Sequence, residues 1–468
     1  MDSFYWLGEI TKASAVMVTE CEIVSPTLGA EIAAAVAQVI DDGRRPGAER
    51  SGDYLAFETD LVAVGGPEVT RVHSGRSRQD IGATFSQLFL RTGLLQVLES
   101  LHTARESLLT LAGKHAHDIV PAYTWGVQAQ PTTFGHWLGA YEAAFARTGA
   151  RGQEAYARIN RCPLGSAALG TSSFPVDRLR LAGLLGFDAV AENSFDATQL
   201  TPADTRIEAA QVASAASLTV GMLIADLTQQ YAQVRPWITL NQGARTGVSS
   251  IMPQKRNPTG LVRLRGLATE VHGRAAAIAL SAHNVPSGMH DYKLDGDDPV
   301  LSAAATMLDD LTSVLGDLNF DPARALGEVN AEYSTTTELA DVLQREGNVP
   351  FRAGHHFASQ LVTFGRENRL KPAEVTFTEA KRIYAETAAE FNLTTALPLD
   401  EKRFRTALSA EGMVNASRGL GGPQPREIER MLESQLKTLK ADQHWVALAK
   451  DRLSKAATNR ESTFQALM

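Results

Sequence analysis

The chain reads as an all-α protein organised around a bundle of long helices, and three stretches predict this. From residue 201 to about 240, apolar side chains recur at Ile207, Ala210, Val212, Ala215, Leu218, Met222 and Leu227. That spacing is helical, with apolar groups on more than one face, as a buried helix requires. Residues 262 to about 282 repeat the pattern, and the small residues in both segments favour close helix–helix contact. A third long helix is expected from about residue 81 to 119. The 468 residues are ample for a large core, and 44% hydrophobic against 21% charged residues suits a soluble globular chain.

In chain order, residues 3–40 read as helical segments with alanine-rich apolar faces. Residues 58–72 form a helix and turn stopped at Gly65-Gly66-Pro67. Residues 73–80 form a polar loop before the long helix, and a further helix runs from 132 to 147. Residues 162–197 read as turns and short helices, with Pro175 and Asp177 as start signals. A charged helix closes the chain. The net charge of −8 and the lack of a long basic stripe argue against a nucleic-acid partner. No basic segment leads into an apolar run near the N-terminus, and no uninterrupted apolar stretch is long enough for a bilayer, so a cytoplasmic protein with no membrane partner is expected. Cys21 and Cys162 are too few for a disulfide framework and lack metal-ligand spacing; both are expected to be reduced and buried.

Between the two apolar helices lies Thr246-Gly247-Val248-Ser249-Ser250-Ile251-Met252-Pro253-Gln254-Lys255-Arg256-Asn257-Pro258. It gathers hydroxyls, a cation and a carboxamide, with Gly247 giving the backbone freedom to move. Asn257-Pro258 opens the next helix, whose free N–H groups and dipole suit an anion. The loop His73-Ser74-Gly75-Arg76-Ser77-Arg78-Gln79-Asp80 likewise sets guanidinium groups ahead of a helix start, and arginine pairs with carboxylates in bidentate fashion. A polar loop between core helices, or a solvated charged turn, is the plain alternative for each.

The 246–258 stretch resembles the signature of the aspartase/fumarase superfamily, Gly-Ser-Ser-x-Met-Pro-x-Lys-x-Asn-Pro, with Val248 in place of the first glycine. Several stretches resemble the argininosuccinate lyase branch. The 73–80 loop is similar to its His-Thr-Gly-Arg-Ser-Arg-Asn-Asp, with Gln79 for the asparagine. Residues 121–131 are similar to Tyr-Thr-His-Leu-Gln-x-Ala-Gln-Pro, keeping Thr124, Ala129, Gln130 and Pro131. Residues 162–178, 186–197, 335–355 and 414–423 also match.

This resemblance implies three helical parts, residues 1–75, 76–330 and 331–468. It further implies a homotetramer with a 20-helix core and active sites shared between subunits. It implies a carbon–nitrogen lyase that releases fumarate from a small dicarboxylate, with no metal or organic cofactor. Ser249 is the family's base and Lys255 assists it. Ser77, Arg78, Gln79 and Thr124 hold the succinyl carboxylates, and Trp125, Gln130, Ser250, Met252, Asn257 and His290 complete the substrate contacts, although a methionine at 252 reads more readily as packing than as chemistry. Further positions depart from the family. Trp125 replaces a histidine acid/base, Val262 replaces the glutamate that holds it, and Ser14 stands where an Ala-His-Ala histidine is expected. Met289, Leu294 and Asp297 replace a tyrosine, glutamine and lysine at the arginine end, where His290 is a candidate acid. Thr11 and Lys12 lie where the family uses an aspartate and serine region. The expectation is therefore an N-substituted aspartate as substrate, with argininosuccinate itself and a non-catalytic oligomeric paralogue as the alternatives.

Overall fold

The computed structural model describes residues 2–289 and 299–468. The N-terminal part packs α1 (Ser3–Glu20) against α2 (Pro26–Gly43) and α3 (Tyr54–Gly65). Asp2, Ser25 and Asp53 cap these helices by accepting backbone N–H groups, which is why each starts where it does. Gly66, with φ of 76°, ends α3 at the anticipated stop. Phe4, Ile10, Met17, Ile32, Phe57 and Leu61 form the core here.

The bundle is built from α4 (Arg78–Lys114), α5 (Phe134–Ile159), α8 (Thr201–Tyr231), α9 (Thr259–Ser281) and α10 (Val300–Gly316), with the short α6 (Arg178–Leu185) and α7 (Ser194–Gln199) between α5 and α8 in the chain. Its core runs through Leu94, Leu101, Leu108, Phe145, Val220, Leu264 and Leu308. Truncating a fully buried member such as Leu308 to alanine is expected to cost about 2–5 kcal/mol. Glycines let the helices approach: a Cβ on Gly93 would sit 2.9 Å from Leu301, and one on Gly152 2.7 Å from Leu98. At one end, Phe134 stacks on Phe320 at 4.4 Å, with Trp237 and His115 edge-on around Phe320. Strand Ile238–Leu240 pairs antiparallel with Leu318–Phe320 at this same end.

Several boundaries differ from the sequence reading. The third long helix begins at Arg78, because Ser77 and Asp80 make a capping box, and stops at Lys114. The chain then forms an antiparallel hairpin, β1 (Ile119–Thr124) with β2 (Val127–Thr133), inside a mostly helical protein. α5 starts at Phe134, capped by Thr133, and runs on to Ile159. α8 stops at Tyr231, short of Pro236, rather than reaching Leu240. By length and composition α8 is apolar enough to cross a bilayer, contrary to expectation; here it packs against α5, α9 and α10. Cys162 is buried, which pushes its thiol up to about 12, whereas Cys21 is only half-buried.

Beyond α11 (Pro322–Val329), helices α12 (Thr336–Arg345), α13 (Phe351–Glu367), α14 (Phe377–Glu390), α15 (Glu401–Leu408) and α16 (Ala410–Ala416) enclose a separate core around Leu339, Phe357, Leu361 and Phe404. The 41-residue helix α17 (Pro425–Gln465) then runs back along the molecule. Asp442 meets Arg105 of α4 at 2.7 Å, and Arg105 also pairs with Glu142 of α5 at 2.9 Å. At its far end Arg460 pairs with Glu9, and Glu461 with Lys12 at 2.6 Å, so the last helix closes on the first.

Candidate active site

The start of α4 is a rigid corner. Ser77 caps the helix by accepting the N–H of Gln79 at 3.3 Å. The buried carboxylate of Asp80 accepts N–H groups from Ser77 and Gly165, both at 2.8 Å, and from Ala167 at 3.2 Å. One side chain therefore ties the helix start to the 163–170 turn. Burial pushes Asp80 up to about 6, against the pull of its three N–H donors. Gln79 meets Gln199 across the corner, with 3.5 Å between amide nitrogen and oxygen. Arg78 projects into solvent, without an ion pair among the described residues. Arg76 is instead buried, bonded to Ser14 at 2.8 Å and lying over the Tyr54 ring. His73 stacks on that ring at 4.6 Å, and burial together with Arg76 pushes its imidazole down to about 4. Ser14 and Lys12 are thus engaged in packing the N-terminal part, while the buried Thr11 hydroxyl has no partner among the described residues.

The hairpin carries Thr124 and Trp125 at its tip. Thr124 pairs with Val127, leaving Trp125 and Gly126 as a two-residue turn with φ of 57° and 75°. Both central residues of such a primed turn need positive φ, which glycine, asparagine and aspartate adopt readily and tryptophan does not. Holding Trp125 there costs about 1–2 kcal/mol. Its indole is nevertheless fully exposed, with Val127 exposed beside it. The shaft is pinned from behind: Tyr123 donates to Glu328, and Gln128 donates to Ser334 at 3.0 Å. Burial and Glu328 push the Tyr123 hydroxyl up to about 12. Gln130 is exposed on the outgoing strand.

The 246–258 stretch projects between α8 and α9. Gly247 pairs with Asn257 and Val248 with Arg256, a two-rung ladder closing the loop at its root. The Ser249 hydroxyl accepts N–H groups from Met252 at 3.2 Å and Ile251 at 3.4 Å. Ser250, Met252 and Lys255 are exposed, and Lys255 has no ion partner among the described residues; Asn257 is half-buried. α9 begins at Thr259, with Pro258 at its N-cap rather than inside the first turn, and no side chain caps it. One of its free donors is already used, however: Gly260 N–H donates to the Arg245 carbonyl at 2.9 Å. Val262 is exposed in the first turn of α9.

The start of α4 stands apart from the other two regions. α4 spans 37 residues, roughly 55 Å at about 1.5 Å per residue. Ser77, Arg78 and Gln79 lie at its start, whereas the hairpin follows its end. The 246–258 loop shares the hairpin's end of the bundle, since Asn241 donates to the Asp317 carbonyl at 2.8 Å beside the Phe134–Phe320 stack. No hydrogen bond joins the three regions among the described residues. Met289 is half-exposed, and His290, Leu294 and Asp297 lie outside the described residues. The organising role of Asp80 was not anticipated, although Ser77-x-x-Asp80 is a capping-box pattern visible in the sequence.

A lyase family model matches residues 11–273, and one for the argininosuccinate lyase C-terminal region matches residues 333–415. Argininosuccinate lyase of Methanoculleus marisnigri is 35% identical over 390 residues, 82% of this chain and 76% of its own length. That of Methanosarcina acetivorans is 30% identical over 97% of this chain and 90% of its own. Among solved structures, a variant of EDDS lyase with bound fumarate superposes with a TM-score of 0.92 at 27% identity, covering 99% of this chain and 92% of that one. A fumarate lyase from Mesorhizobium sp. BNC1 shares the fold, with a TM-score of 0.72 at 19% identity over 92% of this chain and 95% of its own. Fold and relatives together define a carbon–nitrogen lyase that releases fumarate. The chain belongs to the aspartase/fumarase superfamily, in its argininosuccinate lyase branch.

Proposed function

We propose that the enzyme performs anti β-elimination on an N-substituted aspartate other than argininosuccinate, with Ser249 as the base. Ser249, ionised, removes a Cβ proton, and the electrons move onto the adjacent carboxylate as an aci-carboxylate dianion; collapse of that dianion breaks the Cα–N bond, and the substrate's protonated nitrogen leaves as a neutral amine, giving fumarate. A serine hydroxyl is a poor base unless its ionised form is stabilised. The observation that carries the reading is the Ser249 oxygen itself, which accepts two backbone N–H groups inside its loop. Hydrogen bonds to the charged form favour it, and Lys255 adds a positive charge without a competing ion partner among the described residues. Arg78, Ser77, Gln79, Thr124, Ser250 and Asn257 are assigned to the succinyl carboxylates, where charge develops in the transition state.

The amine side reads differently. The family's histidine and glutamate are both absent, replaced by Trp125 and Val262, so an argininosuccinate-type proton donor is missing at this position. Trp125 and Met289 favour an apolar or aromatic amine. EDDS lyase is a structural neighbour, which supports an aspartate bearing another amine, while the 35% identical relative keeps argininosuccinate as the second reading. The reaction is reversible in principle, and amine addition to fumarate is part of the proposal.

A homotetramer with shared sites belongs to the same reading. Its support is the separation of the site groups to opposite ends of the bundle, and the exposed Leu218, Met222 and Leu280 on α8 and α9, which invite a second bundle. The test is fumarate release, followed by ultraviolet absorbance, on a panel of N-substituted aspartates including argininosuccinate and EDDS, with Ser249→Ala as blank. Turnover confined to members other than argininosuccinate is expected. Efficient argininosuccinate turnover would overturn the substrate assignment, and silence in both directions would favour a non-catalytic paralogue.

A further inference from the structure

The loop that carries Ser249 and Lys255 is held by little of its own. Its ladder has two rungs, Gly247 with Asn257 and Val248 with Arg256, and most of the residues between them are exposed. Two rungs without a packed face are not independently stable. Something outside the loop must fix its root, and among the described residues one side chain stands out as placed to do so. Arg245, immediately before the loop, bonds Asp310 through Nη1 at 2.9 Å and Asp317 through Nε at 2.9 Å. Asp310 is nearly buried on α10, and Asp317 caps the end of that helix.

The backbone of Arg245 works in the same direction. Its carbonyl accepts the Gly260 N–H at 2.9 Å, linking the loop's incoming strand to the first turn of α9. The contact is close: a Cβ on Gly260 would lie 2.9 Å from the Arg245 Cβ, so the glycine permits it. Asp317 also accepts the N–H of Asn241 through its carbonyl, at 2.8 Å. Both shoulders of the loop therefore converge on Arg245, the outgoing one through its backbone carbonyl, while its guanidinium is held by the two carboxylates; Arg263 of α9 also lies 3.8 Å from Asp310. A planar fork paired with two carboxylates fixes direction as well as distance, which a lysine ammonium does only in part.

We infer that Arg245 is a positioning residue that fixes the root of the catalytic loop, so that loop closure presents Ser249 in one pose. It touches no reacting atom. The inference rests on the loop assignment made under Proposed function, but its structural half is measurable without any substrate.

The experiment compares the full-length wild type with Arg245→Met and Arg245→Lys, reading amide hydrogen exchange and steady-state kinetics on whichever panel substrate the wild type turns over. Arg245→Met is expected to speed exchange across residues 246–258 by about tenfold or more while leaving the middle of α8 and α10 unchanged. It is expected to lower kcat by about 10–100-fold, the scale of a small misplacement of a reacting group, with KM within about threefold. Arg245→Lys is expected to restore part of both effects. Unchanged exchange over 246–258 overturns the inference, and so does equal acceleration throughout α9 and α10, which would mark Arg245 as a folding residue only. If no panel member is turned over, the functional reading fails, while the exchange data still decide the brace.

Discussion

The two ends of the bundle hold their functional groups in opposite ways. At the start of α4, Ser77 and Gln79 stand on a helix cap whose buried Asp80 carboxylate collects three backbone N–H groups from two separate segments. At the other end, Ser249 and Lys255 ride on an exposed loop whose hydrogen bonds are local, apart from the root at Arg245. One region is tied across two segments, and the other is held mainly by bonds of its own. On the proposed function, the α4 corner binds carboxylates and gains from rigidity, because its donors are aimed before the ligand arrives. On the same reading, a weak base at Ser249 would gain from a loop that closes over substrate, because closure excludes water and brings positive charge and donors together.

The sharpest way to break this contrast is at the loop. Ser249→Ala is expected to lower kcat by about 10³-fold or more, within the range of a general base, while thermal melting stays at the wild-type value. Residual turnover near wild type would move the base to another residue. The rigid corner is expected to respond in stability instead. Asp80→Asn sets an amide NH₂ against backbone N–H donors, and a buried mismatch of this kind costs about 2–3 kcal/mol. Denaturant melts should show that loss, and a melt equal to wild type would remove Asp80 from its organising role.

A smaller effect is expected at the hairpin. Trp125→Ala should lower kcat/KM about tenfold for substrates with apolar amines and leave those with small polar amines nearly unchanged. Because the native turn strains a tryptophan backbone, Trp125→Gly should at the same time stabilise the fold slightly. A uniform loss across all amines would argue that Trp125 supports the hairpin rather than reading the substrate.

The smallest effect is in the pH dependence of stability. Burial and the Arg105 guanidinium push His102 down to about 4. Its folded value lies below the unfolded one, so the unfolded state binds more protons between about pH 6.5 and 4, and stability falls as pH drops through that window. Replacing His102 by glutamine should flatten this acid limb by up to about 1.4 kcal/mol per pH unit. Raised Asp80 acts with the opposite sign: its folded value of about 6 exceeds the ordinary one, so its contribution is lost as pH rises through 6. An Asp80→Asn background should therefore steepen the remaining acid limb.

Much of the helical architecture was legible because apolar periodicity in 201–231 and 259–281 is long and sustained. The start of α4 was placed slightly late, although its capping box was present in the residues. The hairpin was harder to see, since Tyr123-Thr124-Trp125-Gly126 lacks the asparagine or aspartate that usually marks a primed turn, and tertiary anchors at Glu328 and Ser334 hold it instead. The end of α8 was overrun because apolar residues continue past Tyr231 into the strand Ile238–Leu240. The loop motif made Ser249, Lys255 and Asn257 visible as candidates from sequence. The Arg245 brace was not visible, because Asp310 and Asp317 lie on a helix far along the chain and no local pattern links them to the loop.

The most direct test is subunit mixing. Arg78→Ala and Ser249→Ala place their lesions at opposite ends of one subunit, and each parent is expected to be nearly inactive. If an active site takes the α4 start from one subunit and the loop from another, oligomers reassembled from both parents contain some sites with neither lesion. The account predicts fumarate release well above either parent after denaturation and joint refolding. A mixture that stays at the parents' level would contradict a site shared across subunits.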